Sequence, residues 1–232
     1  MSMYFHKWVH ESPARNIPMA LWLPSQEGGP YPLVMVGHGG SGHKTSNLVL
    51  DVVDQLMDHG IAVLAIDGPV HGDRRNDKQE GALVRQEFRD LWFAGGAIDE
   101  MVQDWKVALD EVCKNPAIDV SRIGWYGISM GTAYGIPVLA ADSRIRAAVL
   151  GMWGTCRKPS ERLEHDARKI TIPVLFQVKT EDEIFTPEGQ KNLYELLGSK
   201  HKQYATYAGN HTDPKGEQLY ELASFLKGHL KG

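Results

Sequence analysis

The stretch "RIGWYGISMG" (Arg122–Gly131) decides the fold, because it places Ser129 between two glycines where a strand-like run meets a helix-like one. A strand that turns abruptly into a helix strains the backbone of its apex residue, and flanking glycines leave room for strand and helix to approach. The Ser129 hydroxyl would then project from the carboxyl edge of a sheet, beside the positive end of the following helix. The pattern predicts an activated serine, and a serine that only caps the helix is the alternative.

Apolar or alternating runs of strand type recur along the chain. They are Met3–Val9, Ile17–Leu23, Leu33–Val36, Ile61–Ile66, Ile123–Tyr126, Ala147–Leu150, Val174–Val178 and Gln203–Tyr207. From the third run onward they alternate with helix-like segments, namely Thr45–His59, Gly81–Lys114, Gly131–Ala141, Pro187–Leu197 and Asp213–Leu230. Such alternation predicts βα units in a mostly parallel sheet with helices on both faces. Only "ESPARN" separates the first two runs, which predicts a leading antiparallel hairpin.

Composition narrows the class of protein. The chain has 232 residues, of which 42% are hydrophobic, and a formal net charge of −4; we therefore expect one globular domain over residues 1–232. The charges form no blocks, which argues against a nucleic-acid or membrane-surface partner and favours a small molecule. No apolar run approaches the roughly 20 residues that cross a bilayer, and the first residues lack the apolar core of a signal peptide, so we expect a cytoplasmic protein. Cys113 and Cys156 are expected to be reduced thiols.

A serine hydroxyl is a poor nucleophile at neutral pH, so Ser129 needs a base. Three histidines lie in the last 32 residues, and two of them, His201 and His229, fall before a strand and in the polar C-terminal tail. His211 lies instead in the loop "AGNHTDP", directly after a strand. We therefore predict that His211 is the base, with an ordinary loop histidine as the alternative.

The base in turn needs a carboxylate that orients it. The loop "KTEDEIFTP" follows the strand "IPVLFQV" and offers three candidates, Glu181, Asp182 and Glu183. Solvated surface charge is the alternative for the two that are not used.

A second motif supports a different function. Gly37, Gly39 and Gly42 spell G-x-G-x-x-G between a strand and a helix, and Asp67 ends the next strand. This is the fingerprint of a dinucleotide site in an oxidoreductase. It leaves the serine between its glycines, the acidic loop and His211 unexplained, so we rank it below the hydrolase interpretation, which accounts for all of them.

The motifs together resemble the α/β-hydrolase superfamily and, within it, the lidless serine esterases of the dienelactone-hydrolase-like and prolyl-oligopeptidase-like groups. The resemblance runs from about Ile17 to the C-terminus and is carried by "HGGSG", "DGPVHGDR", "GISMG", "EDEIFTP" and "GNH". Dienelactone hydrolases proper use a cysteine nucleophile, whereas position 129 is a serine. This departure favours hydrolysis of carboxylic esters over the dienelactone reaction itself.

The resemblance implies an α/β-hydrolase fold without a large cap domain, and it implies residue roles. Asp182 matches the family's acid position, with Glu183 in reserve. The backbone N–H groups of Gly40 and Met130 would form the oxyanion hole, and His38 would organise its loop. No metal or organic cofactor is implied. A peptidase or amidase, or a non-catalytic binding protein on the same scaffold, is the alternative function.

Features of the substrate pocket are also expected from the resemblance. Only about 20 residues, "GMWGTCRKPSERLEHDARKI", separate the sixth strand from the seventh, which predicts an open pocket for short acyl chains. "LWFAGG" could break the long helical stretch into two pieces, one over the site. The candidate wall residues are Trp92, Trp153 and Phe185, with Phe88 and Phe93, although core packing is the alternative for the tryptophans, Phe88 and Phe93. Arg74, with Arg75, could hold a substrate carboxylate, and solvated surface arginine is the alternative.

Overall fold

The computed structural model describes residues 3–11, 15–25 and 27–231. The strands in this part of the chain are β1 (Tyr4–His10), β2 (Ile17–Leu23), β3 (Tyr31–Gly37), β4 (Ala62–Ile66), β5 (Ile118–Gly127), β6 (Ile145–Gly151), β7 (Val174–Lys179) and β8 (Lys202–Tyr207). The helices are α1 (Asn47–Met57), α2 (Ala82–Phe93), α3 (Ile98–Val112), α4 (Met130–Ala141), α5 (Glu161–Ala167), α6 (Pro187–Leu196) and α7 (Glu217–Lys231). A single 3-10 turn covers Gly72–Arg74. Residues 12–14 of the "ESPARN" linker lie outside the described residues.

All eight described strands form one sheet in the order β1-β2-β4-β3-β5-β6-β7-β8. Strand β2 runs antiparallel to both β1 and β4, and the pairs from β4 to β8 are parallel. The prediction of a mostly parallel sheet with a leading antiparallel hairpin is therefore confirmed. The parallel strands read as continuous apolar runs because helices cover both of their faces.

Two apolar cores lie on opposite faces of the sheet. Strand β3 shows the division, since Leu33 and Met35 pack into one core and Val34 and Val36 into the other, as the two-residue period of a strand requires. Helices α2, α3, α4, α5 and α6 contribute to the first core, and α1 and α7 contribute to the second. Burying one such aliphatic side chain fully contributes about 1.5–3 kcal/mol, so the two cores hold the sheet edge that carries the site rigidly.

The long helical stretch from Gly81 to Lys114 is two helices, α2 and α3. Between them Gly95, Gly96 and Ala97 have φ angles of 112°, 76° and 49°. Positive φ is compatible with glycine but not with continuation of a right-handed helix, so the chain turns at this point. The break anticipated at "LWFAGG" is thus present.

Two elements differ most from the sequence prediction. Helix α5 was not predicted, because its seven residues are too few to show a helical period. It is stabilised by Asp166, whose buried carboxylate pairs with Arg162 on the same helix and with Lys169 just after the helix ends. Strand β5 begins at Ile118 rather than Ile123, since polar residues in its first half hid the strand pattern.

The connection from β6 to β7 contains only α5 and short loops. No separate cap domain covers the carboxyl edge of the sheet in the described ranges, as predicted. None of the helices described is long and apolar enough to cross a membrane.

Candidate active site

Three side chains from distant parts of the sequence meet at the carboxyl edge of the sheet. Ser129 follows β5, Asp182 follows β7 and His211 follows β8. The Ser129 Oγ atom lies 3.0 Å from His211 Nε2, and His211 Nδ1 lies 2.9 Å from Asp182 Oδ2. The structure thus brings together the predicted nucleophile, base and first-choice acid in one hydrogen-bonded chain.

The turn at Ser129 depends on glycine at the two flanking positions. Ser129 has φ 54° and ψ −122°, a strained conformation for a residue with a side chain. A Cβ atom on Gly127 would lie 2.5 Å from the Gly131 carbonyl oxygen, and one on Gly131 would lie 2.4 Å from the Gly37 carbonyl oxygen. Strand and helix can therefore approach only because these positions lack side chains.

The Ser129 side chain does not cap α4. It occupies the N-cap position but accepts no hydrogen bond from the first turn of the helix. The helix-cap interpretation is therefore wrong, and the hydroxyl is directed to His211 instead.

Thr132 is a supporting residue that the sequence analysis missed. Its hydroxyl oxygen lies 2.8 Å from the Gly127 carbonyl and 2.6 Å from the Gly151 carbonyl, and it accepts a hydrogen bond from the Gly151 N–H. The Ser129 N–H also donates to the Gly151 carbonyl. These bonds tie the strained turn to the end of β6. A threonine inside a helix gives no sequence signal of this role.

Asp182 is built to stay ionised. Its side chain is fully buried; Oδ1 accepts hydrogen bonds of 2.9 Å from the N–H groups of Ile184 and Phe185, and Oδ2 accepts from His211. Burial opposes ionisation, but these donors, with His211 first among them, outweigh it and hold the pKa of Asp182 below its usual value.

The two neighbouring acids contact the histidine loop only through its backbone. Glu183 accepts a hydrogen bond from the His211 N–H at 2.9 Å, and Glu181 accepts from the Gly209 N–H. Among the three candidates of the acidic loop, Asp182 alone has a described contact with the imidazole.

The hydrogen bonds also determine the tautomer of His211. An ionised Asp182 can only accept, so His211 Nδ1 carries the hydrogen. Nε2 then carries no hydrogen, and its lone pair is directed at the Ser129 hydroxyl. This is the form in which an imidazole can take a proton from serine.

A cavity of about 560 Å³ opens beside Ser129 and His211. Its aromatic wall comprises Phe88, Trp92, Trp153 and Phe185. The ring centroids of Trp92 and Trp153 are 4.9 Å apart, and those of Trp153 and Phe185 are 4.6 Å apart. Gly40 also lines this cavity, and Met130 begins α4, so its N–H has no acceptor within the helix.

Comparisons with known proteins can now be added to this geometry. A model of the Dienelactone hydrolase family matches residues 17–211. The chain belongs to this family. As a member of the dienelactone hydrolase family it is a hydrolase with the α/β-hydrolase fold, which confirms both predictions.

Individual relatives agree with the family assignment. A cold-adapted esterase from an Arctic intertidal metagenomic library, in a complex with polyethylene glycol, is 31% identical with a TM-score of 0.88, over 99% of this chain and 95% of that one. The dienelactone hydrolase of Anabaena variabilis has a TM-score of 0.73 at 18% identity, over 99% and 97% of the two chains, and therefore attests the fold alone. YtaP of Bacillus subtilis (strain 168), named provisionally as a hydrolase, is 29% identical over 138 residues, which are 54% of this chain and 44% of YtaP. The matched region thus spans less than half the length of that relative.

One predicted pocket residue of this dienelactone hydrolase family member lies elsewhere. Arg74 does not line the cavity, because its guanidinium donates to the Asp67 carbonyl at 3.1 Å, to the Asn16 carbonyl at 2.9 Å and to the Asp104 carboxylate. Its side chain is only 9% exposed. The prediction that Arg74 holds a substrate carboxylate is therefore wrong. Arg75 is likewise paired, with Asp77 and Glu87.

The outer wall of the cavity contains arginines that the sequence analysis missed. Arg85 and Arg89 of α2 line it beside the buried Phe88, and Arg157 joins them from the loop after β6. The Arg157 guanidinium lies 5.3 Å from the centre of the Phe185 ring, and burial together with the charge of Arg89 lowers its pKa. The i, i+4 spacing of Arg85 and Arg89 could have identified them. By contrast, Phe93 is 57% exposed and does not line this cavity.

The dinucleotide interpretation fails at its acidic residue. Asp67 is fully buried, and its carboxylate accepts hydrogen bonds from the Lys44 N–H, from Lys44 Nζ at 2.6 Å and from the Asp73 N–H. A carboxylate that is fully buried and engaged in this way is out of reach of a ribose hydroxyl. In this family member Asp67 instead anchors the glycine-rich loop.

Proposed function

We propose that the protein is a serine carboxylesterase that hydrolyses small or short-acyl carboxylic esters through a covalent acyl-enzyme. The observation that carries the proposal is the hydrogen-bonded chain from the Ser129 hydroxyl through His211 to Asp182. Acyl transfer to a serine requires this combination, a weak nucleophile in contact with a base and a buried carboxylate behind that base. The 31% identical relative described as an esterase supports the same reaction class.

In the acylation step, Ser129 Oγ attacks the ester carbonyl carbon while His211 Nε2 takes the hydroxyl proton. The carbonyl π electrons move onto the oxygen, and the N–H groups of Gly40 and Met130 stabilise the resulting oxyanion. The carbon–oxygen bond to the alcohol then breaks, and the imidazolium returns its proton to the leaving alcohol. Asp182 stabilises the imidazolium throughout without taking its proton.

In the deacylation step, a water molecule takes the place of the alcohol. His211 removes a proton from this water as its oxygen attacks the acyl carbon, and a second oxyanion forms at the same N–H groups. Collapse of this intermediate breaks the bond to Ser129 Oγ, which regains its proton from His211. The carboxylic acid then leaves.

The cavity favours short acyl groups. Its volume of about 560 Å³ lies in the middle of the range of roughly 300–1,000 Å³ usual for small-molecule sites. The side chains of Trp92, Trp153 and Phe185 are each nearly fully buried in packed contacts. Moving them to make room for a long acyl chain would therefore cost packing energy.

A graded series of p-nitrophenyl esters tests this substrate class. We expect kcat/KM to be highest for acetate to butyrate and to fall at least about tenfold by dodecanoate, because a longer chain fits only by displacing the packed aromatic wall, and such overpacking costs about 1–3 kcal/mol. The same purified protein should hydrolyse the p-nitroanilides of short acyl groups and of amino acids far more slowly. If the anilides were hydrolysed faster than the esters, the amidase alternative would replace the esterase proposal. If kcat/KM did not change with acyl-chain length, the proposed preference for short acyl groups would be wrong.

A further inference from the structure

The glycine-rich loop that contains Gly40 is fastened to the turn after β4. We call residues 37–44 the oxyanion loop and residues 67–73 the anchoring turn. Five hydrogen bonds join them. The Gly68 N–H donates to His38 Nε2 at 2.9 Å, His71 Nε2 lies 3.1 Å from the Gly40 carbonyl, and the Lys44 N–H donates to Asp67 Oδ1 at 2.9 Å. The other two run from Lys44 Nζ to the carboxylates of Asp67 and Asp73. The mechanism above uses none of the anchoring residues.

The ring of His38 is held in one tautomer. The Gly68 N–H can only donate, so His38 Nε2 accepts, and Nδ1 carries the hydrogen that it donates to the Gly39 carbonyl at 2.8 Å. Burial lowers the pKa of His38 to about 4, so the ring stays neutral near pH 7.

His71 is held in the complementary tautomer. The Gly40 carbonyl can only accept, so His71 Nε2 carries the hydrogen. Burial, followed by the neighbouring His38, lowers the pKa of His71 to about 3. The two rings are in edge contact, with centroids 4.9 Å apart, and His71 is fully buried. No partner of His71 Nδ1 exists among the described residues, so the bond to Gly40 is the polar contact made by this ring.

These two bonds control the orientation of the proposed oxyanion donor. The N–H of Gly40 belongs to the peptide unit whose carbonyl is that of Gly39, which His38 holds. The next peptide unit carries the Gly40 carbonyl, which His71 holds. Because a peptide unit is planar, fixing its carbonyl fixes the direction of its N–H. Gly40 lies between the two units, and as a glycine it has access to a wider range of φ and ψ than any other residue.

We propose that His71 is a positioning residue for the oxyanion loop. His38 holds the peptide unit that carries the Gly40 N–H, and the bond from His71 to the Gly40 carbonyl fixes the following unit, so that Gly40 cannot rotate between the two and its N–H stays directed at the reacting carbonyl oxygen. This inference rests on the proposed esterase function. His71 touches no reacting atom in this scheme, and its effect passes entirely through the Gly40 backbone.

Two substitutions separate this role from simple packing. His71→Phe keeps a ring but removes the donor, and His71→Gln keeps an N–H donor at a reach close to that of Nε2. Complete loss of one oxyanion donor costs about 100–1,000-fold in kcat, so a misdirected donor should cost about 10–100-fold. We expect His71→Phe to lose that much in kcat for p-nitrophenyl acetate with KM changed less than about threefold, and His71→Gln to recover most of the loss.

Inhibition by phenylboronic acid provides a second measurement. Its inhibition constant would not change if His71 only packed against its neighbours. Its tetrahedral adduct with Ser129 places an oxygen where the oxyanion forms, so its inhibition constant should rise in His71→Phe by about the same factor as kcat falls. Leu230→Ala serves as the stability control, because Leu230 is buried against β5 near Gly124, far from the carboxyl edge. This control should show a lower melting temperature with unchanged kcat.

Gly68→Ala is a second route if His71→Phe does not fold. A Cβ atom at Gly68 would lie 2.7 Å from His71 Nδ1, 2.9 Å from Met130 Cε and 3.3 Å from His38 Cε1. The substitution therefore displaces the His71 ring without removing it, whereas the Met130 methyl is the end of a flexible side chain and can move aside. It should produce the same selective loss of kcat and boronate affinity. The inference is overturned if His71→Phe or Gly68→Ala keeps kcat within about twofold, or if His71→Gln is as impaired as His71→Phe. A wild-type protein that hydrolyses no ester would instead overturn the proposed function itself.

Discussion

Ser129→Ala should reduce kcat for p-nitrophenyl acetate by about 10,000-fold or more. The variant retains His211, Asp182 and the cavity, but it has no atom that can attack the ester carbonyl. Removal of the nucleophile from a serine hydrolase leaves only the rate enhancement due to binding and oxyanion stabilisation. Steady-state hydrolysis, with substrate well above KM, measures this loss directly.

The Ser129 variant requires a check that the fold survives. Alanine keeps the same Cβ atom and therefore the same backbone strain at this turn, so circular dichroism and melting temperature should resemble those of the wild type. Ser121→Ala is the matched control, since Ser121 is an exposed serine whose hydroxyl bonds only to Asp119. Ser129→Ala with more than about a tenth of wild-type turnover would rule out Ser129 as the nucleophile.

Asp182→Asn should lower kcat by about 1,000–10,000-fold. An asparagine amide facing His211 Nδ1 favours the tautomer with the hydrogen on Nε2, and that tautomer cannot accept the proton of Ser129. The variant preserves size and most of the hydrogen bonds that hold the acidic loop, so KM should change little. Measurement of kcat and KM across pH 6–9 separates this effect from a change in substrate binding.

Glu183→Gln is the matched comparison one residue away. Glu183 contacts only the backbone N–H of His211 among the hydrogen bonds described for its side chain, and a glutamine oxygen can accept the same bond. We expect a loss of less than about tenfold. If Glu183→Gln were the more damaging of the two substitutions, the acid would be assigned to the wrong residue.

The meeting of Ser129, Asp182 and His211 was predictable because parallel strands place their carboxyl ends at one edge. Each residue directly follows such a strand, so recognising the strands was sufficient to bring the loops together. Sequence reasoning could not choose between Asp182 and Glu183 by chemistry alone, since both are carboxylates in one loop. The two carboxylates differ in the direction in which they point. The N–H groups of Ile184 and Phe185 hold the Asp182 carboxylate in its orientation toward His211.

The partners of Arg74 and His71 were not predictable. Arg74 follows a strand near the catalytic edge, but its buried partner Asp104 lies 30 residues later on α3. His71 similarly acquires its contact only when the anchoring turn meets Gly40, 31 residues earlier. In both cases the residue type suggested several roles, and tertiary contacts decided among them.

Covalent labelling with a fluorophosphonate tests the central claim most directly, because the reagent reacts with a serine only where a base activates it and an oxyanion hole receives its oxygen. Peptide mass spectrometry of the fully inactivated protein should locate one adduct per chain, on Ser129. An adduct on any other residue, or an unlabelled protein that still hydrolyses esters, would contradict the account.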